Sequence, residues 1–535
     1  MTRQPDAPNE TARSADKSNR DHLLAQLAHI RAIEKTLADA AQAKREKYAA
    51  RGMLLPRERL ACLLDAGSPF IEVGALAGYK MYDDKDGTGA GGGCIGGIGF
   101  IHQTPCVIRV DNYAIKGGTI SPVGMEKALR LQQIAMENKL PFVTLAQSGG
   151  ANLMYANEIF APGGRGFANQ ARMSAMGIPQ VTVVHGSATA GGAYQPALSD
   201  YVVLVRNQAT MYLAGPPLLK AATGEIATDE ALGGTAVHGE QAGTGDYIAE
   251  NDEHAIALAR ELVQNLNWFK ISANTKNQQP ALKPTQPNCI LDIIPSNTKA
   301  PFDARDVIAH LTDNSHWLEF KAAFDQQTLC GQARIHGQPI GIITNNGPIT
   351  SQGANKAAQF IQLCEQNHTP LLFLHNTTGF MVGTQAEQSG IIKHGAKMIQ
   401  AVANAQVPKF SIVMGGSYGA GNYAMCGRGF DPRFIFAWPN SRTAVMGGAQ
   451  AGKVLRIVTE AKMGSTDTAM LDKLEQDTAQ FVDAQATALA CTARLWDDGI
   501  IDPRHTRDLL GLLLAICSMG ENFTTQRNSF GVARF

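Results

Sequence analysis

Two short glycine clusters carry the most legible chemistry in this sequence. Gly191, Gly192 and Ala193 follow the apolar run Val181 to Val184, and Gly419, Ala420 and Gly421 follow the apolar run Phe410 to Met414. Each sits where a strand would hand over to a helix. Such a turn leaves backbone N–H groups that the helix cannot use, with a positive helix end behind them. Donors of this kind hold an oxyanion developing in a transition state, at roughly 3–4 kcal/mol apiece. Glycine also serves close packing or positive φ, so a single cluster decides little. Two clusters in a repeated frame decide more.

The frame is a duplication with one spacing. Lys127 pairs with Lys356 (356 − 127 = 229), and the same difference joins Asn138 to Asn367, Pro141 to Pro370, Gly150 to Gly379 and Pro179 to Pro408. Gly186 with Gly415, Gly192 with Gly421 and Tyr194 with Tyr423 continue it. In each half a helical stretch, a break ending in proline, an apolar strand and a glycine-bearing loop are followed by a second helix, proline break and strand. This alternation predicts an α/β fold with mostly parallel pairing and sites beyond the carboxyl ends of the strands.

A chain of 535 residues exceeds one usual domain. The expected division is a disordered tail over 1–20, an N-terminal domain over 21–275, a linker over 276–288 and a C-terminal domain over 289–535. The linker falls in the polar stretch Ser272 to Asn288, which carries Pro280, Pro284 and Pro287. Leu23 to Ala43 has the spacing of an amphipathic helix. Lys plus Arg and Asp plus Glu both number 47, so no overall field attracts nucleic acid or an anionic membrane. Nine scattered cysteines without a C-x-x-C pair argue against a disulfide framework and a structural zinc, and place the chain in the cytoplasm. No apolar signal region or membrane span is present, and no metal is expected.

Ser148-Gly149-Gly150-Ala151-Asn152, Asn169-Gln170-Ala171-Arg172-Met173-Ser174, Thr189-Ala190-Gly191-Gly192-Ala193-Tyr194 and the segment Gly215 to Glu225 resemble the carboxyltransferase (β) subunit of biotin-dependent acyl-CoA carboxylases. Thr378-Gly379-Phe380-Met381-Val382-Gly383, His394 to Met398 and Gly415 to Tyr423 resemble the same family, above all its methylcrotonyl-CoA and geranyl-CoA branch. The resemblance implies two tandem crotonase-like (ClpP/crotonase) carboxyltransferase domains, the first binding acyl-CoA and the second biotin. It implies a biotin cofactor supplied covalently on a biotin carboxylase/biotin carrier α subunit, a coenzyme A thioester as substrate, and a β hexamer carrying α subunits, with active sites between β subunits. Gly191, Gly192 and Ala193 would then hold the thioester enolate, and Gly419, Ala420 and Gly421 the biotin ureido oxygen. Ser148, Gly149, Gly150, Gly163 and Gly164 become substrate-binding residues; Thr378, Gly379, Phe380 and Tyr418 become biotin-binding residues. No side-chain base is required.

Members specific for methylcrotonyl-CoA usually have a longer loop after the equivalents of Glu158 and Phe160, with a bulky Phe closing the acyl pocket. Here the expected loop is Ala161 to Gly166, with Gly163 or Gly164 in the Phe position, which favours geranyl-CoA carboxylated at its γ carbon. Alternatives are a methylcrotonyl-CoA carboxylase β subunit, a propionyl- or acetyl-CoA-type carboxyltransferase and a biotin-dependent decarboxylase subunit. His185 and His375 read as structural. Arg165, Arg172 and Lys116 are candidates for the CoA phosphates. Gly87 to Gly93 lacks the ending of a phosphate loop, Glu460 to Met463 lacks the context of a biotinylation site, and Ala449 replaces a common Glu of the family.

Overall fold

The computed structural model describes residues 10–271, 290–297, 300–463 and 467–532. The first half holds strands β1 (Ile71–Glu72), β2 (Cys94–Ile101), β3 (Thr104–Asp111), β4 (Phe142–Ser148), β5 (Gln180–Thr189), β6 (Tyr201–Val205), β7 (Thr210–Tyr212) and β8 (Tyr247–Ala249). They order as β1-β2-β3-β4-β5-β6-β8, with β7 continuing beside β5. The second half repeats the plan with β9 (Trp317–Phe320), β10 (Thr328–Ile335), β11 (Gln338–Asn345), β12 (Leu371–Thr377), β13 (Lys409–Tyr418), β14 (Phe434–Ala437) and β15 (Arg442–Ala444), ordered β14-β13-β12-β11-β10-β9 with β15 beside β13. Pairing is parallel from β3 to β8 and from β11 to β15. β2, β4 and β12 show the near-continuous burial expected of strands covered on both faces.

The repeated residues have physical jobs. Pro141 and Pro179 lack an N–H but offer carbonyls, which accept from Val107 and Phe142 (both 2.9 Å) to start the parallel ladders; Pro370 and Pro408 do the same for Gly341 and Leu371 (2.8 and 2.9 Å). Ser121 caps the Pro122–Asn138 helix by accepting from Gly124 N (3.2 Å), and Thr350 caps the Ser351–Gln366 helix by accepting from Gly353 N (2.9 Å). Lys127 and Lys356 are wholly buried, their ammonium groups spent on backbone carbonyls: Gly74, Gly91 and Cys94 for one, Phe324 and Asp325 for the other. The glycine run before β2 is thus a carbonyl-lined turn held by a lysine.

The offset of 229 holds from the capped helix to the end of the second repeated strand, since 371 − 142 and 409 − 180 both give it. Outside this stretch it slips: β3 to β11 is 338 − 104 = 234, and β6 to β14 is 434 − 201 = 233. Insertions are tolerated away from the turns.

By contacts the chain forms two compact units. One is Ile33–Gln278 with Ala493–Leu495 and Ala515–Phe535; the other is Met1–Ala32 with Gln279–Thr492 and Trp496–Leu514. Both chain ends therefore depart from the expected division. The C-terminal segment joins the first unit because Phe523 packs on Trp268 and Phe269 (ring centroids 4.6 and 5.1 Å) and Lys139 Nζ donates to its carbonyl (2.6 Å). The expected disordered tail is helical from Glu10, in a helix that runs to Gln42. Arg20 holds Asp292 (Nε–Oδ1 2.7 Å) and Asn19 donates to the Asp292 carbonyl (3.1 Å), giving that polar segment a tertiary anchor. Residues 1–9 and the linker over 276–288 lie outside the described residues. Among those described, no helix is long and apolar enough to cross a membrane, and eight cysteines are free thiols.

Candidate active site

Strand β5 ends at Thr189 and the Gly191–Ala197 helix follows at once. The residue between them, Ala190, has φ 54° and ψ −121°, a conformation that costs a residue with a side chain about 1–3 kcal/mol. Strand β13 ends at Tyr418, and Gly419 opens the next helix with the same φ of 54°. Ala190 and Gly419 are 229 apart (419 − 190). The structural partner of Gly419 is therefore Ala190, which a search for glycine passes over. Gly191 and Gly192 correspond to Ala420 and Gly421.

The amides at the start of each helix precede any intrahelical acceptor. Ala193 is different: its N–H donates to the Ala190 carbonyl (3.1 Å), so this member of the expected trio is engaged inside the turn. Gly191 is exposed and Gly192 half-buried; Ala420 is exposed and Gly421 buried.

The loops after β4 and β12 complete the two floors alike. Gly150 N donates to Ser148 Oγ (3.0 Å) and Gly379 N to Thr377 Oγ1 (3.1 Å). Ile120 N donates to Gly150 O (3.0 Å), and Ile349 N to Gly379 O (2.9 Å). A methyl at Gly150 would lie 3.6 Å from the Thr189 carbonyl, so this loop lies beside the first turn. At the second, a methyl on Gly421 would meet Gly379 Cα at 2.8 Å, and one on Gly379 would lie 3.4 Å from the Tyr418 carbonyl. Gly149 and Thr378 are exposed, Phe380 and Tyr418 half-buried. The structure thus brings Ser148 and Gly150 to the first turn and Gly379 and Tyr418 to the second.

The expected loop from Ala161 to Gly166 is helix instead, inside Ala156–Ala175. Pro162 and three glycines argue locally for a loop, but burial of Ile159, Gln170 and Met173 along one face outweighs propensity, and Gln132 Nε2 donates to the Gly166 carbonyl (3.0 Å). Gly163 and Gly164 lie on this helix with space around them: a methyl at Gly163 would touch only Met125 Cε (3.5 Å), and one at Gly164 nothing within 4 Å.

His185 and His375 are both wholly buried and cannot reach a substrate. His185 Nδ1 bonds Asp252 Oδ1 (2.7 Å); Arg59 Nε holds the other oxygen (2.8 Å) and its Nη1 donates to Gln147 Oε1 (2.6 Å), next to Ser148. Burial, aided by Arg59, depresses the His185 pKa to about 4. Burial takes His375, bonded to Ser417 Oγ (2.8 Å), to about 3. Unfolding lets each regain an ordinary value near 6.5, so both contribute stability present above pH 6.5 and lost as pH falls toward 4 and 3. In the second unit Asp497, raised by burial to about 7, has the opposite sign and gains stability as pH falls through 7. The unit holding His185 is therefore expected to lose about 2 kcal/mol between pH 6.5 and 5. The other unit, where His375 and Asp497 offset, changes less. Urea midpoints followed by limited proteolysis at the two pH values check this; equal shifts in both units would contradict it.

Beside the first loop lies a cleft of about 350 Å³ lined by Lys44, Lys47, Arg51 and Lys116 together with Tyr48 and Tyr113, with no carboxylate in its lining. Its floor joins the active turn directly, since Gly149 N donates to Gly117 O (3.0 Å) and Ser148 Oγ to Gly118 O (3.1 Å). The Tyr48 hydroxyl is buried without a hydrogen-bond partner among the described residues, and burial raises its pKa to about 12, keeping it a neutral donor. Lys44, Lys47, Arg51 and an idle donor suit a ligand rich in phosphate, whereas the Lys116 ammonium is paired with Asp83 (3.0 Å). Of the three basic residues singled out from sequence, Lys116 lines this cleft; Arg165 and Arg172 do not.

A family model described as the carboxyl transferase domain matches residues 47–529. A probable mitochondrial methylcrotonoyl-CoA carboxylase beta chain of Drosophila melanogaster is 46% identical over 513 residues, 91% of this chain and 88% of that protein. A biotin-dependent 3-methylcrotonyl-coenzyme A carboxylase beta1 subunit of Mycobacterium tuberculosis is 46% identical over 483 residues, 89% and 90% of the two chains. Among solved structures, the P. aeruginosa geranyl-CoA carboxylase beta subunit is 60% identical with a TM-score of 0.92, covering 100% of both chains. With two glycine turns on one repeated frame and these relatives along its length, the chain belongs to the carboxyl transferase domain family and is a carboxyltransferase of the biotin-dependent acyl-CoA carboxylases.

Proposed function

We propose that this chain is the β subunit that moves a carboxyl group from carboxybiotin to the γ carbon of geranyl-CoA. The observation that carries the choice of substrate is the pair Gly163 and Gly164 on the helix beside the first turn, where space is left for several more methylenes, each worth about 0.8 kcal/mol when buried. The 60% identity to a protein named geranyl-CoA carboxylase supports the same reading. Relatives named for methylcrotonyl-CoA favour the second reading, a methylcrotonyl-CoA carboxylase β subunit.

In this account the amides of Gly191 and Gly192 hold the thioester oxygen of the dienolate formed when the γ proton leaves, a proton taken up by biotin once its carboxyl group has been given up. Ser148 and Gly150 brace the turn. Lys44, Lys47 and Arg51 take the CoA phosphates, with Lys116, held by Asp83, at the edge of the cleft. Biotin, carried covalently by the α subunit, supplies the activated carboxyl group when bound. Ala420 and Gly421 offer their amides to its ureido oxygen, with Thr378, Phe380 and Tyr418 around them. The working assembly is a β hexamer with α subunits attached, acting in the cytoplasm.

A Gly164→Phe variant tests the substrate. Its side chain starts in open space, so the helix should form, and kcat/KM should fall more for geranyl-CoA than for methylcrotonyl-CoA in the reconstituted αβ enzyme. Equal losses would show that this helix does not line the acyl site. For the cleft, Arg51→Ala is expected to raise KM by about tenfold for every CoA ester alike, the loss of one charge-assisted phosphate contact. A change confined to one acyl chain would remove the cleft from the CoA site.

A further inference from the structure

The Ala156–Ala175 helix carries two exposed aromatic residues on one side. Phe160 is 85% exposed and Phe167 37% exposed. Seven residues, nearly two turns, separate them, so they project the same way, about 10.5 Å apart along the axis, with Gly163 and Gly164 flanking the line between them. Nothing charged lies on that side: Ala156 and Ala171 continue it at either end. The side packed into the protein, with Ile159, Gln170 and Met173, lies about a quarter turn around the helix from that line.

The line of aromatics begins at the first turn. A methyl on Gly191 would lie 3.7 Å from Phe167 Cζ, and the Phe167 ring is 5.8 Å from that of Tyr194, itself 47% exposed on the helix that carries Gly191 and Gly192. Phe167 therefore walls the place where the thioester oxygen would be held. From there the same uncharged side of the helix runs back over the two glycines to Phe160. Leaving a phenylalanine ring almost wholly in water forgoes the stabilisation that burial gives, so the arrangement calls for an apolar occupant. A chain attached at the Gly191 turn is the occupant whose starting point the geometry fixes.

We infer that Phe167 and Phe160 are specificity-determining residues, Phe167 packing on the conjugated head of the acyl group and Phe160 on the far isoprene unit of a long branched enoyl-CoA. This rests on the reading of the first turn as the acyl-CoA site. The line from the turn has a direction, so its two ends carry different expectations: Phe167 meets every acyl chain, Phe160 only a long one.

The test uses the reconstituted αβ enzyme with Phe160→Ala and Phe167→Ala, and kcat/KM for geranyl-CoA and methylcrotonyl-CoA. Phe160→Ala is expected to lower the value for geranyl-CoA about tenfold more than for methylcrotonyl-CoA, through KM, whereas Phe167→Ala lowers both. Both side chains project outward, so folding should survive, and the native mass of each variant should match that of the wild type. Equal losses on the two esters with Phe160→Ala would overturn the inference. So would a change in native mass with length discrimination intact, which would make Phe160 a contact between copies of the chain. A wild-type enzyme inactive on every branched enoyl ester would instead overturn the acyl-CoA reading beneath it, and this inference with it.

Discussion

Replacing Gly192 with proline is expected to lower carboxyl transfer by about 10²–10³-fold while leaving the protein folded, the loss typical of removing one preorganised oxyanion donor. Proline fits the start of a helix, where the N–H it lacks has no intrahelical partner, and Gly192 is not among the positive-φ glycines. A side chain there would meet nothing within 4 Å. The substitution therefore removes a donor, with the constraint on helical Gly191 before it as its main side effect. Gly192→Ala, which retains the N–H, should lose far less, and the difference between the two variants isolates the amide. Circular dichroism and native mass establish that both are folded. Equal losses from alanine and proline would mean that the space at Gly192 matters and its N–H does not. Gly421 is a poorer place for this experiment, because any side chain would collide with Gly379 Cα.

The largest expected effect on stability comes from Asp252→Ala, at about 3–5 kcal/mol, because it strands a buried guanidinium. Arg59 and Asp252 have fully buried side chains, and the carboxylate also serves His185 Nδ1 and the Leu54 amide (2.8 Å). Without it Arg59 retains only Gln147 Oε1 as a partner among the described residues. Gln147 also receives support from Asp111, whose Oδ2 accepts from its N–H (3.3 Å), and it immediately precedes the Ser148 to Gly150 loop. The substitution should therefore loosen the first floor as well as destabilise its unit. Urea denaturation measures the first effect. A loss under 1 kcal/mol would show that Arg59 finds another partner or reaches water. Asp252→Asn, which preserves shape and one acceptor, should be milder.

What the sequence made legible was the repeat. It survives as one spacing because the same hydrogen bonds recur in both halves: hydroxyl caps at Ser121 and Thr350, proline carbonyls feeding the ladders, and Ser148 and Thr377 each holding a glycine amide. Ser121 and Ser148 give way to Thr350 and Thr377, so the hydroxyl and its spacing are kept while the residue type changes. Ala190 was invisible because its role lies in φ and ψ, and a search for glycine at such a position skips an alanine held there under strain. Pro162 and the glycines signal a break locally where the structure has a helix through Gly163 and Gly164, and the packing that overrides them comes from the Pro122–Asn138 helix. Arg59 and Asp252 lie 193 residues apart and no local pattern joins them. The cationic cleft draws Lys44, Lys47 and Arg51 from one segment and Lys116 from another, so only the fold assembles it.

The central claim, that the two turns serve carboxyl transfer onto a long branched enoyl-CoA, is tested most directly by fixation of radiolabelled bicarbonate into acid-stable product. The enzyme is the wild-type chain reconstituted with its α subunit and supplied with ATP. The account predicts fixation that depends on geranyl-CoA, exceeds that with methylcrotonyl-CoA at equal concentration, and collapses in Gly192→Pro. Fixation that favours methylcrotonyl-CoA, or that persists undiminished in Gly192→Pro, would contradict it.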